Sequence, residues 1–231
     1  MRVAMISLHT SPLATLGGKD AGGMNVYVRE LSRQLGRRGY EIDIFTRRAD
    51  PDMPETLPLA RGVRVIHLTA GPAAPVAKND LFALTPAFAD ALLDFAAREG
   101  RPYDVLHSHY WLSGWAAHLA RQRRPTPLIH MFHTLGHMKN LVARDETDRE
   151  LDQRIETERA LMQAVDSLVA ANPSDRAQMI WYYGAPAGAI CTVPLGVDLS
   201  LFQPSPQAQA RAELGLGPGP LILFVGRIEA L

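Results

Sequence analysis

The feature that most constrains this chain is a recurrence: short runs, apolar on nearly every residue, separated by segments with helical spacing. The runs are Arg2 to Leu8, Glu41 to Thr46, Val63 to Leu68, Asp104 to His107, Leu128 to Phe132, Ser167 to Ala171 and Ile190 to Val193. A strand with one wet face alternates apolar and polar residues, whereas a strand buried on both faces does not. An α/β domain with a parallel sheet and helices on both faces satisfies this pattern.

The intervening segments fit. A helix is expected from about Gly23 to Arg38, with Val26, Leu31 and Leu35 near one face and Gly39 just past its end. A second is expected over Pro86 to Arg98, with Phe88, Leu92 and Phe95 at helical spacing. Residues Ala49 to Gly62 and Gly71 to Asn79, crowded with proline and alanine, read as loops. Asp145 to Ala164 reads as one charged helix on which Glu150, Arg154 and Glu158 lie four apart along a solvated face. Ser174 is expected to cap the helix that follows.

Domain organisation follows from where the punctuation falls. Residues 1–203 form the domain, and prolines and glycines over 204–220 mark a linker around a short helix, Gln207 to Leu214. LILFVGR then opens a fresh buried strand, so residues 221–231 are expected to be the first strand of a truncated second domain.

Composition excludes several classes. Lys plus Arg and Asp plus Glu balance at 24 each, so no net basic field favours nucleic acid as a partner. A single cysteine, Cys191, excludes an intramolecular disulfide and a Cys-rich zinc site. The longest clean apolar run, Leu221 to Val225, is far shorter than the ~20 residues of a membrane span, and no signal segment opens the sequence. A soluble, cytoplasmic protein is the expectation, and a homodimer is left open.

In open parallel sheets ligands bind beyond the carboxyl ends of the strands, and here those positions are polar. The first run delivers His9, Thr10 and Ser11; the fourth, His107 to Trp111; the fifth, His133, Thr134, Gly136 and His137. A satisfied core or surface histidine is the ordinary reading of any one of them, and three successive strand ends shift that reading toward a site. Gly17, Gly18, Gly22 and Gly23 precede a helix start, a place where backbone N–H groups can meet an anion. They match neither the dinucleotide fingerprint nor a P-loop, so a plain strand-to-helix turn reads equally well. The histidines lack a carboxylate or cysteine at ligand-like offsets, so no metal is expected. No G-x-S-x-G nucleophile motif occurs.

Taken in order, MRVAMISLHTSP, GGKDAGGMNVYV, YDVLHSHYWLSG, FHTLGHMKN, VPLGVDLSLFQP and LFVGRIEAL resemble the retaining glycosyltransferases of the GT-B architecture over essentially the whole chain. Within that group the chain is most similar to the inositol phosphate enzymes of mycothiol synthesis, with sucrose-phosphate synthases next. The resemblance implies two facing Rossmann-like domains, of which this chain carries the N-terminal, acceptor-binding one. It implies transfer of a sugar with retention, N-acetylglucosamine from a UDP-linked donor to inositol phosphate, without a further cofactor. By the same resemblance His9, Asp20, Asn25, Lys78, Tyr110, Thr134 and Arg154 contact the acceptor. Gly22, Gly23 and Arg227 meet the donor diphosphate, and His133 touches the donor sugar, so that His133 and Arg227 are the catalytic expectations. Taken alone, Lys78 is a loop lysine and Arg154 pairs with Glu150 and Glu158. Two alternatives remain: transfer of glucose to fructose 6-phosphate, and a non-catalytic sugar-phosphate-binding domain. The truncated chain by itself is expected to be inactive.

Overall fold

Strand β1, Arg2–Ile6, lies inside the sheet, and every one of its residues is buried. Val3 and Met5 point to one face, where they pack with Val28, Ile42, Ile44, Val63 and Val65. Ala4 and Ile6 point to the other and join Phe45, Ile66, Phe88 and Leu92. This two-sided burial is what the unbroken apolar runs imply. The computed structural model describes residues 1–15 and 22–226.

The elements after β1 are helix α1 (Gly23–Arg37), strands β2 (Glu41–Arg47), β3 (Thr56–Ala60) and β4 (Val63–Leu68), a 3-10 turn (Lys78–Leu84) and helix α2 (Thr85–Arg98). Then come β5 (Val105–His109), α3 (Trp111–Arg123), β6 (Leu128–Met131), α4 (Gly136–Val142) and α5 (Asp152–Ala164). β7 (Ser167–Ala170), α6 (Pro173–Tyr183) and β8 (Ile190–Thr192) complete the unit. The sheet order is β3-β4-β2-β1-β5-β6-β7-β8, parallel except for the antiparallel pair β3 and β4. From β1 the chain builds outward to β2 and β4, and from β5 outward the opposite way. The order therefore reverses between β1 and β5, which opens a crevice at their carboxyl ends.

Four sequence expectations need correction. Thr56–Ala60 is a strand inside a segment read as loop: Pro58 argues against a central strand, but β3 sits on the sheet edge, where proline is tolerated. The charged helix begins at Asp152 rather than Asp145, because the Asp145 carboxylate accepts from the Thr147 N–H at 2.8 Å and turns the chain locally. Asn172, not Ser174, caps α6: its side chain accepts from Asp175 N at 2.9 Å, and Pro173 fills the first helical position. The α1 stripe that is fully buried is Asn25, Val28, Ser32 and Gly36, while Leu31 and Leu35 pack only partly against the core. Gly36 is needed there, since a Cβ on it would lie 2.6 Å from Arg61 O.

Two units divide the chain, Met1–Pro194 and Leu195–Leu231. The second contains helix α7, Gln207–Glu213, whose Arg211 guanidinium hydrogen-bonds the carbonyls of Gly217 and Gly219. Residues 221–225 form no strand among the described residues, in contrast to the expected buried one. An isolated apolar run offers no partner for its own backbone groups, so it does not make a strand by itself.

Candidate functional site

The loop after β1 is fixed from below. Ser7 Oγ donates to Thr10 O at 2.7 Å, Leu8 N donates to Ser113 Oγ at 2.9 Å, and the Asn25 amide donates to Thr10 Oγ1 and Ser11 O at 2.6 Å each. Asn25 Oδ1 accepts from Gly22 N at 3.2 Å. Both amide N–H groups and Oδ1 of Asn25 thus join this loop to the start of α1. Among the described residues nothing lies within 4 Å of where a Cβ on Gly22 or Gly23 would stand.

Tyr110 follows β5 with φ 72°, and His133 follows β6 with φ 62°. Among the described residues they are the only non-glycine residues in that half of backbone space, and they sit at adjacent strand ends. Such conformations are unfavourable for side chains with a Cβ and persist where the surroundings over-determine them. Here Tyr110 N is held by Met131 O at 2.9 Å, and the Tyr110 ring lies 4.4 Å from that of His9. Burial pushes the Tyr110 hydroxyl up to about 12, so it is a neutral phenol.

His109 of β5 and His133, just after β6, form a buried, uncharged pair. His109 Nε2 lies 2.8 Å from Met5 Sδ, and a thioether only accepts, so this nitrogen carries the proton. His109 Nδ1 is then an acceptor and takes the hydrogen bond of His133 Nε2 at 2.9 Å. His133 Nδ1 is left as an acceptor. Burial lowers His109 well below the usual imidazole range and lowers His133 to about 3, with His107 adding to the latter. Burial, with Lys78, His133 and Arg154, brings His9 to about 3 as well. All three rings are neutral at physiological pH.

Beside Tyr110 stands a charge cluster. Lys78 Nζ is 5.3 Å from the Tyr110 ring centroid and the Arg154 guanidinium carbon 4.9 Å. Arg154 Nε donates to Glu158 Oε1 at 2.7 Å, Nη2 donates to Thr134 O and Oγ1 at 2.9 and 3.0 Å, and Nη1 faces Glu150 Oε1 at 2.8 Å. Glu158 also accepts from Gly136 N, the first residue of α4, at 2.9 Å and from Tyr183 OH at 2.5 Å. Glu150 Oε1 is shared among Arg154, Lys139 at 2.5 Å and Lys78 at 3.7 Å. Burial would raise the Glu150 carboxyl, but Arg154, Lys139 and Lys78 hold it down to about 2. The solvated helix face expected for Glu150, Arg154 and Glu158 is therefore wrong: Arg154 and Glu158 are 1% and 0% exposed. Their i, i+4 spacing was read correctly, but the helix face they share turns inward against α4.

Three buried polar atoms here have no hydrogen-bond partner among the described residues: His9 Nδ1, Tyr110 Oη and Arg154 Nη1, the last of which meets Glu150 as an unaligned ion pair. Native interiors pair nearly all such groups, so a cluster of unpaired ones is informative. The site thus brings His9, Lys78, Tyr110, Thr134 and Arg154 together, with His133 next to them. Asp20 and Arg227, expected in the same site, lie outside the described residues. Glu150, Glu158, Lys139 and Tyr183 were not singled out as functional from sequence, although Glu150 and Glu158 were visible as partners of Arg154, and His109 was visible only as one of the polar strand-end residues. Among the described residues no group of three His, Cys, Asp or Glu is arranged to hold a metal ion. No helix of the described residues is long and apolar enough to cross a membrane.

Comparison with known proteins matches residues 21–201 to Glycosyltransferase Family 4. The chain is similar to D-inositol 3-phosphate glycosyltransferase of Kineococcus radiotolerans, 45% identical over 233 residues, covering 100% of this chain and 54% of that protein. It is also similar to the structure of sucrose-phosphate synthase from Thermosynechococcus elongatus, with TM-score 0.83 and 35% identity, covering 94% of this chain and 53% of that one. An Anabaena protein crystallised with UDP-glucose shares the fold alone, at TM-score 0.57 and 13% identity over 93% of this chain and 50% of that one. The chain spans about half the length of the curated relatives it matches.

Proposed function

The chain belongs to Glycosyltransferase Family 4, and from that premise we propose that it is the acceptor-binding part of an enzyme that moves a sugar from a nucleotide-sugar to a phosphorylated polyol with retention. N-acetylglucosamine carried by UDP is the donor and inositol phosphate the acceptor. The observation that carries the proposal is the gathering, at the crevice between β1 and β5, of two buried groups without a hydrogen-bond partner, His9 Nδ1 and Tyr110 Oη, beside the cations Lys78 and Arg154. A polyol supplies hydroxyls for the first two, and its phosphate an anion for the cations.

The acceptor hydroxyl oxygen bonds to the anomeric carbon as the bond from that carbon to the diphosphate oxygen breaks. The hydroxyl proton passes to the departing diphosphate oxygen. No double displacement is invoked, because the carboxylates at the described site, Glu150 and Glu158, sit in the cation cluster assigned here to the acceptor phosphate. Catalysis then rests on positioning and charge. His133 contributes through the lone pair on Nδ1, which accepts from a donor-sugar hydroxyl. The N-terminus of α1 at Gly22 and Gly23 offers its backbone N–H groups to the diphosphate. On this reading the 231-residue chain binds the acceptor.

A second reading, glucose transfer to fructose 6-phosphate, draws on the likeness to sucrose-phosphate synthase. Product analysis separates the two. A protein as long as the relatives is incubated with UDP-N-acetylglucosamine and D-inositol 3-phosphate, or with UDP-glucose and fructose 6-phosphate, and the products are read by NMR. The proposal predicts an α-linked product from the first pair. A β linkage removes retention, and product from the second pair alone selects the second reading.

A further inference from the structure

The acceptor site as it stands already contains an anion. The Glu150 carboxylate occupies the point where Lys78, Lys139 and Arg154 converge, at 3.7, 2.5 and 2.8 Å from its Oε1. Each cation comes from a different element: the turn before α2, helix α4 and helix α5. We infer that Glu150 is a resident stand-in for the acceptor's phosphate, displaced from these cations when the phosphate binds, and that Lys139 is a further phosphate ligand. The inference rests on the reading of the acceptor as a phosphorylated polyol.

Charge matching supports the exchange. Three cations and the two carboxylates Glu150 and Glu158 leave the cluster with one net positive charge. With Glu150 withdrawn it has two, which balances a phosphate monoester carrying about −1.5 to −2. With Glu150 in place the phosphate would be undercompensated and would meet a carboxylate at close range. The two carboxylates are also held differently. Glu158 is 0% exposed and is fixed by Gly136 N and Tyr183 OH as well as by Arg154, so it has nowhere to go. The Glu150 side chain is 12% exposed, has only cations as partners, and stands just before α5, in the irregular chain after the Glu146–Asp148 turn.

The backbone under Glu150 need not move. Asn140 clamps it from α4, accepting from Glu150 N at 2.7 Å and donating to Glu150 O at 3.3 Å. Displacement is therefore a change of side-chain rotamer, on a fixed main chain. In the empty site the carboxylate neutralises cations that would otherwise repel one another. It also selects against weaker ligands, since only an anion better than a carboxylate replaces it. Lys139 pairs with the same Glu150 oxygen as Lys78 and Arg154, so a phosphate oxygen taking that place inherits all three contacts.

The test is calorimetric titration of the 231-residue chain with D-inositol 3-phosphate, inorganic phosphate and unphosphorylated inositol, with urea midpoints to verify folding. Glu150→Gln removes the competing charge and is expected to tighten both phosphate ligands about tenfold, leaving inositol unchanged. Lys139→Met is expected to weaken the phosphate ligands about tenfold, again without effect on inositol. Glu150→Asp, which retracts the carboxylate by one methylene, is expected to fall between wild type and Glu150→Gln, and it serves if the glutamine variant is unfolded. Wild type that binds phosphate ligands while Glu150→Gln or Glu150→Asp binds them equally or more weakly overturns the displacement and leaves the acceptor reading intact. Unchanged affinity in Lys139→Met overturns the ligand role of Lys139. Failure of wild type and Glu150→Gln alike to bind any phosphate ligand defeats the acceptor reading itself, and this inference with it.

Discussion

Arg154 Nε stands 2.7 Å from Glu158 Oε1, and both side chains are sealed from solvent. Removing one partner of such a pair strands the other charge, at a cost of roughly 3 to 5 kcal/mol. Arg154→Ala is therefore predicted to lower the unfolding free energy by about that amount, as well as to abolish phosphate binding. Urea denaturation reads the first effect, and a loss below about 1 kcal/mol would contradict the buried pairing. This makes Arg154 a poor probe of binding alone.

Lys78 is the cleaner probe. Its side chain is one-third exposed and its ion pair with Glu150 is the longest of the three, so little of the fold depends on it. Lys78→Ala is predicted to keep its urea midpoint and to weaken a phosphorylated acceptor about tenfold or more. An unaltered affinity would remove Lys78 from the site.

The His109 to His133 hydrogen bond sets which nitrogen of His133 is free. In a protein as long as the relatives, His133→Ala is predicted to reduce kcat more than it raises the acceptor KM, with little change in Tm. His109→Leu, which deletes the acceptor for His133 Nε2, should move kcat in the same direction while leaving acceptor KM alone. A large Tm loss with proportionate loss of activity would mark His133 as packing only.

Acid should unfold this chain early. His9, His130 and His133 are each lowered to about 3, and His107 to about 4, chiefly by burial. Between the ordinary imidazole value, about 6.5, and those values the unfolded chain binds more protons than the folded one, so stability falls as pH falls through that window. Glu150, depressed to about 2, adds a loss in the same direction below its ordinary carboxylate value. Urea midpoints should be level above pH 7 and decline steadily from about 6.5 toward 3. A flat profile from pH 7 to 4 would contradict the burial of these rings.

Much of the fold was legible because parallel strands buried on both faces leave a composition that nothing else explains. Pro58 hid β3, since a proline is permitted in a strand only at an edge, and edge position is a fact of the assembled sheet. Asp145 hid the true start of α5, because a local side-chain turn competes with a helix that the charge spacing otherwise supports. At the site, family likeness picked out Lys78, Tyr110, Thr134 and Arg154, residues too far apart in sequence for spacing to join. The burial of Arg154 and Glu158 was invisible, since a Glu-x3-Arg-x3-Glu face looks the same whether it meets water or α4. Lys139 and Tyr183 carried no signal of their own: each matters through Glu150 or Glu158, which tertiary packing brings to it.

The central claim is that this crevice recognises a phosphorylated polyol, and one calorimetric series tests it most directly. The chain is titrated with D-inositol 3-phosphate, fructose 6-phosphate and unphosphorylated inositol, alongside Lys78→Ala. The account predicts saturable binding of D-inositol 3-phosphate, tighter than fructose 6-phosphate, no comparable binding of inositol, and loss of that preference for phosphate in Lys78→Ala. Equal affinity for inositol with and without its phosphate, or a Lys78→Ala variant that binds the phosphate as wild type does, would contradict it.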